Sequence, residues 1–344
     1  MALIELINGK YKTVSIVGMS KNSGKTVALN HLIGEAIEEC VPIGITSIGR
    51  DGENLDIVTE TEKPRIYVEE GTYIATAREM LNFGDANIEI MQVTDYRTPL
   101  GEIVIGRVRN GGYVQVAGPQ LLSEIKAVSE IMLSLGASFV IIDGALDRLS
   151  SAAPAISEAT IMATGAVVSR DINKVIEETV HLVNLFNLET IEDFGLRSTI
   201  KKLMDNNNIA VIDEDNQVET LPLKTALNAG HLIGDHLKES SKYLIIPGCL
   251  VKNTIEDLTR STRKYKNIEI VILDGTKIFI NPKDWLKFQR QGIRVRVLDK
   301  INLVALTLNP YAPQGYYFDA LDFLTRIRSH INHIPTMDLI LGGE

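Results

Sequence analysis

Apolar residues recur with two different periods along the chain. Thr13-Val14-Ser15-Ile16-Val17-Gly18 is a β-rich run ending at glycine, the form of a strand buried on both faces. After a polar stretch, Val27, Leu29, Leu32, Ile33, Ala36 and Ile37 fall at helical spacing through about Glu39. Val41 to Ile48 then reads as a second strand. Strand, glycine-bearing loop, helix and strand make a βαβ unit.

Residues 49–118 break this pattern. Arg65 to Val68, Ile88 to Val93, Glu102 to Val108 and Tyr113 to Ala117 read as strands, and Asn110-Gly111 between the last two predicts a hairpin. An antiparallel insertion or sheet extension is therefore expected. From Gly118-Pro119 a helix follows, with Leu121, Leu122, Ile125, Val128, Ile131, Met132 and Leu135 on its apolar face. Ser138 to Ile142 and Ile161 to Val168 read as strands, and Asp171 can cap a helix running to about Leu185. Further strands are predicted over 209–212, 243–246, 268–273, 293–298 and 303–308, with helices near 196–206, 223–238, 253–264 and 319–331. The expected fold class is α/β. A nucleotide-binding domain with a mostly parallel sheet spans 1–240 and a smaller C-terminal α/β domain spans 241–344.

With 344 residues, 45% apolar and 23% charged, the composition is that of a globular chain long enough for two domains. The two cysteines, Cys40 and Cys249, form no ligand-spaced cluster, which suits a reducing cytoplasm. No secretory segment opens the chain, and the uncharged stretch Ile301 to Phe318 is interrupted by Asn309, Pro310, Pro313 and Gln314. A soluble cytoplasmic protein without a membrane span is expected. The formal charge is −9, yet Lys242 to Lys300 holds 13 basic and 6 acidic residues. No aromatic-rich or recognition-helix motif accompanies those cations, so nucleic acid is not the expected partner.

Gly18-Met19-Ser20-Lys21-Asn22-Ser23-Gly24-Lys25-Thr26 follows a strand and opens a helix. That is the context of a phosphate-binding P-loop, or Walker A motif, in which loop amides and the positive helix end converge on phosphate oxygens. Gly18, Lys21, Asn22, Ser23, Gly24, Lys25 and Thr26 are the candidate contacts. Lys25 supplies charge to the outer phosphates and the Thr26 hydroxyl can ligate Mg²⁺. Five residues separate the two glycines where four are usual. This spacing resembles dethiobiotin synthetase and the cobyrinate diamide synthetases, of the SIMIBI class of P-loop NTPases; the resemblance covers the loop and the βα order to about residue 170. Lys21 stands four residues before Lys25, not the five of that class's trans-acting lysine, so that role is not carried onto it. A phosphate contact and a solvated loop cation both stay open for Lys21.

Beside a P-loop strand, a second strand normally carries a carboxylate for the hydrated metal. Phe139-Val140-Ile141-Ile142-Asp143 has that form, with Asp147 the alternative. The second strand exits into Gly49-Arg50-Asp51-Gly52-Glu53-Asn54-Leu55-Asp56, where the resemblance implies a switch loop. Asp51 is the candidate for positioning the attacking water, with Glu53 and Asp56 as rivals. Asn173-Lys174 fails the guanine-reading Asn-Lys-x-Asp motif, so ATP is expected in place of GTP. Thr307 to Asp319, with two prolines, a glycine and three tyrosines, can form a rigid loop for a flat or apolar group, or can simply close the domain. The histidines, including His330/His333 and His231/His236, read as surface or cap residues.

The expected function is a Mg²⁺-ATP-dependent ATPase that drives change in a protein partner. Over its whole length the chain also resembles the ATP-dependent reactivase subunit of lysine 5,6-aminomutase, which implies a cobalamin-dependent aminomutase as partner. The alternatives are an ATP-dependent ligase or cyclising carboxylase of the dethiobiotin synthetase type, and a nucleotide-dependent binding module without turnover. Membership of the SIMIBI class would also allow a homodimer across the nucleotide.

Overall fold

The computed structural model describes residues 2–48, 66–144 and 156–341. They form an α/β fold divided into two compact units, one of residues up to 176 together with 302 onward, the other of residues 177–301. The expected boundary near 240 falls inside the second unit, so the smaller unit is an insertion in the chain and not its C-terminal part.

In the first unit a short helix α1 (Leu3–Ile7) precedes β1 (Thr13–Gly18), α2 (Lys25–Glu38) and β2 (Ile43–Ser47). There follow β3 (Ile66–Val68), β4 (Tyr73–Ala77), β5 (Asn87–Thr98), β6 (Gly101–Asn110), β7 (Gly112–Val114), α3 (Leu122–Leu135), β8 (Phe139–Asp143) and β9 (Ala159–Gly165); α4 (Ile172–Phe186) begins in this unit and runs mostly in the second. The second unit continues with α5 (Phe194–Asp205), β10 (Ala210–Asp213), β11 (Val218–Thr220), α6 (Gly230–His236), β12 (Ser241–Ile245), β13 (Leu250–Val251), α7 (Lys252–Ser261), β14 (Glu269–Ile272), β15 (Ile278–Phe279), α8 (Pro282–Arg290) and β16 (Arg294–Val297). The chain returns to the first unit with β17 (Leu303–Asn309), α9 (Ala320–His330) and β18 (Thr336–Asp338).

The large sheet runs β18-β17-β9-β1-β8-β2-β4-β6-β5. Its members from β18 to β4 are parallel, whereas β6 is antiparallel to both β4 and β5. Both faces of its centre are covered, and β8 shows why its sequence is continuously apolar. Phe139 and Ile141 pack with Leu29, Leu32 and Ile33 of α2, while Val140 and Ile142 face Ile125, Val128 and Met132 of α3. Each such aliphatic side chain, fully buried, contributes about 1.5–3 kcal/mol. Leu121 and Leu122, assigned by periodicity to that apolar face, are exposed, because α3 starts only at Leu122.

Residues 66–118 largely extend the main sheet. The predicted Asn110-Gly111 hairpin is not formed. β6 turns back from β5 at Pro99-Leu100, while β7 leaves β6 and pairs antiparallel with β3. None of residues 110–112 has positive φ, which a two-residue Asn-Gly hairpin turn requires. The glycines serve close packing instead: a Cβ on Gly112 would stand 2.7 Å from the Ala86 nitrogen.

In the second unit the sheet order is β11-β10-β12-β14-β16, parallel from β12 to β16 and antiparallel at β10 and β11. Its strands too are covered on both faces: Ile270 and Ile272 of β14 pack with Trp285 and Phe288 of α8, and Val271 packs with Ile200 of α5. α8 lies outside the helices predicted from the apolar period, although Asn281-Pro282 is a start signal. The Asn281 side-chain Oδ1 accepts from Asp284 N–H at 2.9 Å, and the proline occupies the first turn. No helix among the described residues is long and apolar enough to cross a membrane.

His181 of α4 places its Nε2 2.8 Å from the Ile280 carbonyl and its ring edge-on to Trp285. Burial pushes its pKa below the ordinary 6.5, outweighing the Ile280 carbonyl, Glu178 and Glu177, which pull the other way. The unfolded chain therefore binds this proton more tightly. The His181 contribution should be fully present above pH 6.5, fall as pH drops below it, and level off beneath the folded pKa. Trp285, the single tryptophan, reports unfolding of this unit. In denaturant titrations between pH 7.5 and 5, His181→Gln should lose this part of the acid destabilisation, and an unchanged pH slope would refute the assignment.

Candidate functional site

The site is built where β1 ends. β1 is bonded on both sides, to β8 and β9, so the chain leaves the sheet at its carboxyl edge. Met19 N–H still reaches the Ala163 carbonyl at 2.9 Å, extending the β9 ladder by one residue. The chain then turns sharply. Ser23 N–H returns to the Ser20 carbonyl at 3.2 Å, with Asn22 at φ 64° and Gly24 at φ 100°. Gly24 is the N-cap of α2, and its carbonyl accepts from Ala28 at 3.0 Å. The amides of Lys25, Thr26 and Val27 lie in the first turn, have no carbonyl a turn earlier and form the positive helix end.

No acidic residue occupies the first turn of α2. Its first residue is Lys25 instead, a cation at the positive end, which costs about 0.3–1 kcal/mol against the usual preference. Asp143 offsets that cost. It closes β8 in register with Ile16 of β1, and its Oδ1 lies 2.9 Å from Lys25 Nζ. The two side chains are 13% and 24% exposed, so solvent screens the pair only partly. Lys25 also donates to the Gly144 carbonyl.

Two polar atoms here lack an aligned hydrogen bond. Asp143 Oδ1 is close enough to Lys25 for an ion pair but not in hydrogen-bond geometry, and Ser23 Oγ is buried without a partner. The Ser23 hydroxyl is directed back into the loop, since a Cβ on Gly18 would stand 2.5 Å from it. An unpartnered buried hydroxyl costs about 1–3 kcal/mol. Inside a turn of backbone donors, it marks a place where a ligand oxygen would be accommodated.

The structure thus brings together Gly18, Ser23, Gly24, Lys25 and Asp143, which sequence spacing had singled out. Thr26 lies beside them on the first turn, partly exposed, whereas Lys21 and Asn22 are exposed. Thr26 and Asp143 offer the oxygen donors that Mg²⁺ prefers, and Asp143 Oδ1 is held only by its ion pair with Lys25, so the donor chemistry suits that metal. Asp51, its rivals Glu53 and Asp56, and Asp147 lie outside the described residues. Elsewhere, among the described residues, no three His, Cys, Asp or Glu gather as a metal site. His236, read as a surface histidine, pairs through Nδ1 with Glu219 at 3.0 Å.

One residue holding the loop went unrecognised individually. Asn309, at the end of β17, donates from Nδ2 to the Asn22 carbonyl at 3.1 Å. A Cβ on Gly24 would lie 3.0 Å from its own Cβ. The available signal was Asn-Pro directly after an apolar strand.

Comparison of the chain with protein-family models, with curated proteins and with solved structures finds no match. The functional reading rests on the geometry of the site.

Gly24 is required twice over, by its left-handed backbone and by Asn309. Gly24→Ala should destabilise the first unit by more than about 1 kcal/mol, measured by urea unfolding with circular dichroism. A shift within experimental error would mean the turn at Gly24 is not held as described.

Proposed function

We propose that the Gly18–Thr26 loop binds the phosphates of ATP with Mg²⁺, and that the protein is an ATPase of the P-loop, SIMIBI type. The observation that carries this is Lys25 at the positive end of α2, poised against Asp143 with the unpartnered Ser23 hydroxyl in the same turn. Those features are locally unfavourable and become favourable around an anion. Loop amides and the helix end would bind the phosphates, and Lys25 would exchange its carboxylate partner for outer phosphate oxygens. Magnesium, held through Thr26 and Asp143, would neutralise charge between the outer phosphates. Asp51 remains the proposed residue for orienting the attacking water.

Hydrolysis is proposed to act on a protein partner, with a cobalamin-dependent aminomutase the class to test. Lys242, Lys264, Lys266 and Arg294 support a protein-facing role. Lys242 and Arg294 lie at the amino ends of β12 and β16, and Lys264 and Lys266 in the turn before β14, where Arg294 donates to the Lys266 carbonyl at 3.1 Å and Lys264 to that of Leu237 at 2.7 Å. Such an edge suits an acidic surface.

Mg²⁺-ATP should raise the melting temperature of the wild type and leave Lys25→Ala nearly unmoved. Charge-assisted contacts of this kind are worth about 1.5–3 kcal/mol each, so ATP affinity should fall at least tenfold. Asp143→Asn should keep the fold and bind ATP equally with and without Mg²⁺. Equal thermal shifts in wild type and Lys25→Ala would sink the phosphate assignment. Phosphate release that an aminomutase partner does not stimulate would sink the accessory reading alone.

A further inference from the structure

The geometry points to Tyr311 and Tyr317 as a stacking platform for the planar ring of a nucleobase, resting on the reading that the Gly18–Thr26 loop takes the phosphates. Both tyrosines belong to the segment that follows β17, at the carboxyl edge where β1 also ends. Sheets of this kind collect ligands at that edge. Asn309 joins the two places. Its Nδ2 binds the Asn22 carbonyl, and its Oδ1 accepts from Tyr311 N–H at 3.1 Å. Tyr311 is two residues farther along, at most about 7 Å of extended chain. A group anchored by its phosphates at Gly24 can reach it through a sugar.

The segment is built to hold those rings still. Tyr311 and Tyr317 face each other across an antiparallel bridge, with flanking bonds from Ala312 N–H to Tyr316 O at 3.0 Å and Phe318 N–H to Pro310 O at 2.9 Å. Tyr316 turns the other way, donates to the Ala166 carbonyl at 2.9 Å and carries the Arg170 guanidinium 5.2 Å above its ring. Pro310 and Ala312 are buried, yet Tyr311 and Tyr317 remain 54% and 71% exposed, with ring centroids 6.0 Å apart and tilted by 37°. Rings left open on a fixed segment bind a flat partner with little ordering cost. Tyrosine faces stack any base without reading its edge, so discrimination between ATP and GTP at this platform should be slight.

Calorimetry with Mg²⁺-ATP and with Mg²⁺-tripolyphosphate separates the base from the phosphates. Wild type should bind ATP more tightly than tripolyphosphate. Replacing both Tyr311→Ala and Tyr317→Ala should weaken ATP at least about fivefold, the low end for loss of a stacked base, and leave tripolyphosphate unchanged. The double Phe variant should keep ATP affinity, because the ring face is retained. Equal ATP affinity in wild type and the Ala variant overturns the platform while leaving the phosphate site standing. If the wild type binds neither compound, the phosphate reading fails first and takes the platform with it. Should the double Ala variant lose both compounds together, Tyr317→Ala alone, removing the more exposed ring, is judged by the same ratio.

Discussion

β1 is hydrogen-bonded along both edges, by β8 and β9, and apolar layers cover the faces of the sheet around it. A strand so enclosed has one way out, and the segment that follows must turn at the carboxyl edge of the sheet. The topology divides there as well: the strands beyond β8 lie on one side of β1, those beyond β9 on the other. Open α/β sheets divided in this way bind ligands at the carboxyl ends of their central strands. At that edge the chain places a glycine turn, the positive end of a helix of 14 residues and the last residue of β8.

Much of what is locally costly in the described first unit gathers at this turn. A lysine opens the helix at the end that prefers anions, a serine hydroxyl is buried without a partner, and Asn22 and Gly24 both adopt positive φ. Natural chains are locally consistent through most of their length and depart from consistency where function demands it. The Lys25–Asp143 pair offsets the first of these costs.

Elements whose character is written in a continuous run were legible early. β1 was read with its observed bounds, and β8 and α2 to within a few residues, because burial on both faces leaves a plain apolar string and an amphipathic helix leaves a 3.6-residue period. α1 was missed because five residues are too few to show a period; it is held by α2, whose Glu35 carboxylate accepts from the amides of Leu3 and Ile4 at 3.1 and 2.8 Å. The Asn110-Gly111 turn misled for the opposite reason. Its local chemistry suits a hairpin, but β3, far away in sequence, offers β7 a partner that no local rule can see.

By itself the sequence determined the α/β class, the strand–loop–helix order, and the glycine turn with Lys25 at the start of α2, since all of these follow from spacing within about one helical turn or one strand. Only the tertiary structure decided that β17 and β18 complete the first sheet, that residues 177–301 form an inserted unit, and that Asn309 braces Gly24. Leu306 pairs with Met162, and Asn309 meets Gly24, across more than a hundred residues of chain. Such pairings depend on which edges and faces remain unsatisfied once the local elements have formed, and that is a property of the assembled sheet.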